Sequence, residues 1–149
     1  MISMLMKRNG LALLLGLCLS ASALAATDND RPPVADKMVA FSGEQGIKVS
    51  TLRFGERAAN EALVMVDGID HDWQRKIQKM HVEKTSRDTR YSTQVNGKPY
   101  VVLIVNGNYG ELYLPGETRE LRVGYDASLS EQTPPQHFLT DYLEQAAKP

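Results

Sequence analysis

The chain is nearly without cysteine. Its single one, Cys18 among 149 residues, lies in the apolar N-terminal stretch, so the sequence beyond it has no thiol for a disulfide, a nucleophile or a metal ligand. Histidine is scarce too, and His71, His81 and His137 stand far apart. Neither an HExxH helix nor a GxSxG turn is present, which removes the zinc-protease and serine-hydrolase patterns. An excess of positive charge is also lacking: the chain carries 17 basic and 18 acidic residues, a formal charge of −1. Nucleic-acid binding, which needs a basic field, is therefore not expected.

What is present begins with a processing signal. Lys7 and Arg8 precede an apolar stretch at 11–19, which gives way to Ser20, Ser22 and the small-x-small sequence Ala23-Leu24-Ala25. This is the order of a secretory signal peptide, residues 1–25, with cleavage before Ala26. The apolar run is shorter than the roughly 20 residues of a membrane span. Leu17 before Cys18, with apolar sequence continuing after it, does not fit a lipidated cysteine, so no membrane anchor is expected. The expected product is a periplasmic protein. Removing Lys7 and Arg8 from the 17 basic residues leaves 15 against 18 acidic ones, a formal charge of −3.

Residues 26–37 are polar and contain Pro32 and Pro33, the composition of a flexible leader. A single β-rich domain is expected over 38–149. Short β-type runs at 47–54, 62–66, 80–85, 91–95, 100–105, 111–114 and 119–125 are separated by turn residues. Asn96-Gly97, Asn106-Gly107 and Pro115-Gly116 mark hairpins around the apolar run at 100–105. Helix formers at 136–147, with Phe138, Leu139, Tyr142 and Leu143 at helical spacing after Pro134-Pro135, predict a C-terminal helix on the sheet. Residues 72–76 fit either a helical turn or the approach to a strand. The expected fold is mainly β, an antiparallel sheet or β-sandwich meander with a C-terminal helix.

Three clusters could carry function. Asp67, Asp70, His71 and Asp72 combine carboxylates with an imidazole, but they lack the ligand spacing of a calcium loop. An ordinary loop, turned at Asp67-Gly68 and capped by Asp70 or Asp72, explains them as well, so no metal or cofactor is assigned. Arg75, Lys76, Lys79, Lys84, Arg87 and Arg90 form a basic stretch interrupted by Glu83 and Asp88, which reads as the solvated face of a strand or as a surface for a phosphate, lipopolysaccharide or an acidic protein face. Tyr109 lies between Asn108 and Gly110 at a hairpin tip. It is either an exposed aromatic anchor for a protein contact or a tyrosine folded back over its own hairpin. No carboxylate pair stands out from the 18 acids, and no catalytic residues are assigned.

At this tip the chain resembles the periplasmic lysozyme inhibitors, whose families carry Ser-Gly-x-Tyr or Ser-Gly-x-x-Tyr on a loop that enters the lysozyme cleft. Asn106-Gly107-Asn108-Tyr109 has that form with asparagine in place of serine. The layout from Val66-Asp67-Gly68 through Glu111-Leu112-Tyr113-Leu114-Pro115-Gly116 to Gln136-His137-Phe138-Leu139 is most similar to the inhibitors of invertebrate-type lysozyme. The resemblance implies lysozyme as protein partner and Asn106, Gly107, Asn108 and Tyr109 as the inserting loop. Arg90, Tyr91 and Tyr100 mark alternative segments of similar composition. The other expectation is a non-catalytic ligand- or protein-binding module of the cell envelope, with a homodimer left open.

Overall fold

The structure is a computed structural model that describes residues 31–148. The expected signal peptide, residues 1–25, lies outside the described residues. From Pro33 the chain forms one compact unit. Its strands are β1 (Val39–Gly43), β2 (Lys48–Phe54), β3 (Glu61–Asp67), β4 (Ile77–Lys84), β5 (Thr89–Val95), β6 (Lys98–Asn106), β7 (Tyr109–Leu112) and β8 (Leu121–Tyr125). Two helices follow, α1 (Ala127–Gln132) and α2 (Pro135–Ala147).

The strands run up and down in sequence order, and β1 pairs with both β2 and β8. This corrects the expected sandwich to a closed eight-strand barrel. The cause is β1, which was not expected as a strand. It supplies the segment that hydrogen-bonds to the first and last neighbours at once, leaving no sheet edge to cover with a second sheet. Gly43 lies opposite Val123 at this seam. A β-carbon on Gly43 would stand 2.6 Å from the Arg122 carbonyl oxygen, so the two strands approach closely only because glycine is there.

Alternation along the strands sorts the side chains. Val49, Val64, Met80, Leu103 and Leu112 fill the interior and are at most 2% exposed. Thr51 is the polar member inside: its hydroxyl donates to the Val39 carbonyl (2.7 Å). On β6 the register shifts between the partners of Tyr91 and Ser92, so that Val102 is an extra residue. Val102 and Leu103 are both fully buried in the interior cluster, as happens when a bulge turns two successive side chains to one face.

The outward positions Glu83, Arg90, Ile104, Glu111 and Arg122 lie opposite one another across five adjacent strands. Across these five strands the barrel is thus apolar inside and mostly charged outside, the inverse of a lipid-facing surface. Among the described residues no helix is long and apolar enough to cross a membrane.

Leu52, Leu63 and Ile77 instead face outward and pack with Phe138 and Leu139 of α2, which is the C-terminal helix expected from its periodicity. Pro135 opens α2 at a position where its missing N–H costs nothing. Near the other end of the helix, the Gln145 amide accepts from the Ile77 N–H (2.9 Å) and donates to the Ile77 carbonyl (2.8 Å), capping the start of β4. Helix α1 was not expected. Its cap is Asp126, whose carboxylate accepts from the Leu129 N–H and the Ser42 hydroxyl (both 2.9 Å), and its Ser130 hydroxyl accepts from the Ala40 N–H (2.8 Å). In the stretch expected as a leader, Val34 bridges Phe54 and packs beside the α2 cluster.

Closure makes a direct prediction. Gly43→Ala should cost about 1–3 kcal/mol in urea unfolding, the usual range for overpacking. Gly124→Ala, on the neighbouring strand with its nearest obstacle 3.9 Å away, should change stability by less than about 0.5 kcal/mol. Equal effects would mean that β1 and β8 are not paired.

Candidate functional site

At one end of the barrel, β6 ends at Asn106 and β7 begins at Tyr109, and these residues pair directly. Gly107 has φ +62°, a left-handed conformation easy for glycine. Gly107-Asn108 therefore makes a two-residue connection, and β7 starts two residues before the 111–114 run. Gly110 belongs to the strand: a β-carbon there would lie 3.1 Å from the Val123 side chain and 3.4 Å from that of Leu103. The tip is held from the side as well, because the Tyr125 N–H of β8 donates to the Asn108 carbonyl (2.7 Å).

Tyr109 faces Gly124 on β8, a partner with no side chain to lay over its ring. It is 75% exposed, more than any other large hydrophobic side chain among the described residues. The folded-back alternative for Tyr109 is thereby set aside. Asn106, Gly107 and Asn108 are exposed too, so the whole candidate loop presents two amides and a phenol on a fixed backbone. Tyr125 at the same end is 47% exposed and sets its ring edge-on to Phe41 at 6.4 Å.

The β4–β5 turn lies beside this tip. Thr89 of β5 is opposite Val105 of β6, so Asp88 and Asn106 end adjacent strands on the same side. The Thr85 hydroxyl accepts from the N–H groups of Arg87 (3.1 Å) and Asp88 (3.0 Å) and donates to the Asp88 carboxylate (2.8 Å). Arg90 completes the turn with an ion pair to Asp88 at 3.1 Å. The Thr85 hydroxyl, then the Arg90 guanidinium, hold the Asp88 carboxyl below its ordinary value of 3.8. This turn was not expected from the sequence, although the spacing of Thr85 and Asp88 is the local side-chain-to-backbone chemistry that could have marked it.

The alternative segments do not form a comparable loop. Tyr91 is buried in the barrel interior, where burial pushes its phenol up against the opposing effect of a Thr51 hydrogen bond. Tyr100 packs against the same interior, and burial raises its phenol as well. Arg90 is engaged by Asp88.

The Asp67–Asp72 cluster sits at the opposite end of the barrel. Asp67 turns the chain by accepting from the Gly68 N–H (2.8 Å) and from the Gln74 amide (2.5 Å), and Gly68 has φ +78°. The His71 ring accepts from the Trp73 N–H at Nδ1 (3.0 Å) and bonds the Pro115 carbonyl through Nε2 (2.9 Å). Both ring nitrogens are thus used to tie the β3–β4 and β7–β8 connections together. Asp70 and Asp72 are exposed and neither caps a helix. Among the described residues, no group of three or more His, Cys, Asp or Glu is placed to hold a metal ion.

Two open surface grooves lie elsewhere on the barrel. One of about 300 Å³ lies beside the α1–α2 junction at Thr133, His137 and Asp141, and one of about 190 Å³ lies over Lys79, His81 and Gln94. No family model, curated protein or solved structure matches the chain.

Because the native Asp88 carboxyl is lowered, its contribution is present above the ordinary carboxylate range and is lost as pH falls through the native value. An NMR titration should give Asp88 a midpoint below 3.8, and Thr85→Ala should move it upward. An unchanged midpoint in that variant would mean the hydroxyl does not bind the carboxylate.

Proposed function

We propose that this protein is an exported, non-catalytic inhibitor of lysozyme that blocks the muramidase cleft with its Asn106–Tyr109 hairpin. The observation that carries the reading is Tyr109: a rigid aromatic, 75% exposed, at the tip of a two-residue turn pinned to the neighbouring strand by the Asn108–Tyr125 hydrogen bond. An interface buries a large area of such a side chain at small entropy cost. The identity of the partner is supported by the resemblance of Asn106-Gly107-Asn108-Tyr109 to the loops of the lysozyme inhibitors, most similar to those acting on the invertebrate type.

The mechanism is occlusion. Glycoside hydrolysis needs a pair of carboxylates flanking the scissile bond. The Asn106 amide and the Tyr109 hydroxyl are donors suited to such acceptors, and Gly107 between them lets the backbone approach closely. Hydrogen bonds to charged groups are worth about 1.5–3 kcal/mol each when water is excluded. Small-ligand binding is less well supported, because apolar side chains fill the barrel where a ligand would sit and the grooves are open to solvent.

The test is inhibition of goose-, chicken- and invertebrate-type lysozymes by the purified protein; no inhibition of any at micromolar concentration ends the proposal. Where inhibition is found, Tyr109→Ala should weaken it by about 2 kcal/mol or more, the size of an aromatic hot spot. Its stability should change by less than about 0.5 kcal/mol, as for an exposed position. Asn106→Ala should lose less affinity and equally little stability. Full inhibition by Tyr109→Ala would place the contact elsewhere.

A further inference from the structure

We infer that Arg87, on the Thr85–Asp88 turn, is a second anchor of the same docking surface and pairs with acidic groups around the partner's catalytic cleft. The inference rests on the inhibitor reading above and adds a contact outside the hairpin.

Three observations carry it. The first is placement: the Thr89–Val105 pairing sets the β4–β5 turn directly beside the Asn106–Tyr109 tip, so a body seated on Tyr109 also faces this turn. The second is division of labour within the turn. Arg90 is held by the Asp88 carboxylate at 3.1 Å, while Arg87 is exposed and forms no close ion pair among the described residues, acting on Asp88 only through space. The Arg87 N–H is meanwhile fixed by the Thr85 hydroxyl at 3.1 Å. The backbone beneath the exposed guanidinium is thus already ordered, which lowers the entropy lost on binding.

The third observation is charge. Lys84, Arg87 and Arg90 against Glu83 and Asp88 leave this segment one positive charge in excess on a protein whose formal charge is −1 overall. A muramidase cleft is the complementary surface, since it must present at least two carboxylates to do its chemistry. An arginine matches a carboxylate in a planar, two-pronged geometry, and an exposed cation near an acidic cleft also speeds encounter.

The experiment measures inhibition and Kd of the exported protein against an invertebrate-type lysozyme at low and at physiological salt. Arg87→Glu should bind about tenfold more weakly, with a flatter salt dependence and an unchanged Tm. Arg87→Gln should fall between it and the native protein. Lys98→Glu, the same charge change at the opposite end of the barrel, should remain within about twofold. If the native protein inhibits and Arg87→Glu inhibits equally well, Arg87 is no anchor and the hairpin reading survives. A loss of equal size in Lys98→Glu would assign the effect to net charge and overturn the anchor as well. Absence of inhibition by the native protein would remove both proposals.

Discussion

The rest of the structure depends on β1 hydrogen-bonding to two strands at once. Five residues, Val39–Gly43, pair with β2 on one side and β8 on the other, and this turns a meander into a barrel with no free edge. The glycine at the seam lets the two backbones approach, and α1 locks β1 from outside through the Ser130–Ala40 hydrogen bond. Closure also fixes β8, whose Tyr125 N–H holds the Asn108 carbonyl at the hairpin tip. The order of the candidate loop is thus inherited from a strand pairing on the far side of β8.

Much of this was legible in the sequence. Asn96-Gly97 and Asn106-Gly107 marked their hairpins because each needs glycine at positive φ, and both glycines have it. The C-terminal helix was legible because its apolar residues recur at helical spacing and land on Leu52, Leu63 and Ile77. β1 was not legible. Val39, Ala40 and Phe41 are apolar in succession, since α1 covers the outer face there and removes the alternation that marks a half-buried strand. α1 itself is six residues long, too short to show a period.

The site was legible one loop at a time and not as a surface. Turn chemistry located Asn106–Tyr109, but whether Tyr109 folded back depended on its cross-strand neighbour being Gly124, a fact of register. The adjacency of the Thr85–Asp88 turn likewise follows from the β5–β6 pairing, which includes the extra residue at Val102. Tyr91 was a rival only until the barrel placed it inside. His71 and the surrounding carboxylates drew attention as chemistry, and the structure uses the ring as a tie between two loops.

The two ends of the barrel are accordingly built differently. One is closed by side-chain hydrogen bonds among Asp67, Gln74, His71 and Pro115, and the other displays Tyr109, Arg87 and two exposed asparagines. The most direct test of this division is amide hydrogen exchange on the protein alone and in complex with an invertebrate-type lysozyme. Added protection is expected at 85–88 and 106–109 on complex formation, with 67–73 and 96–97 unchanged. Protection confined to 67–73 and 96–97 would contradict this expectation.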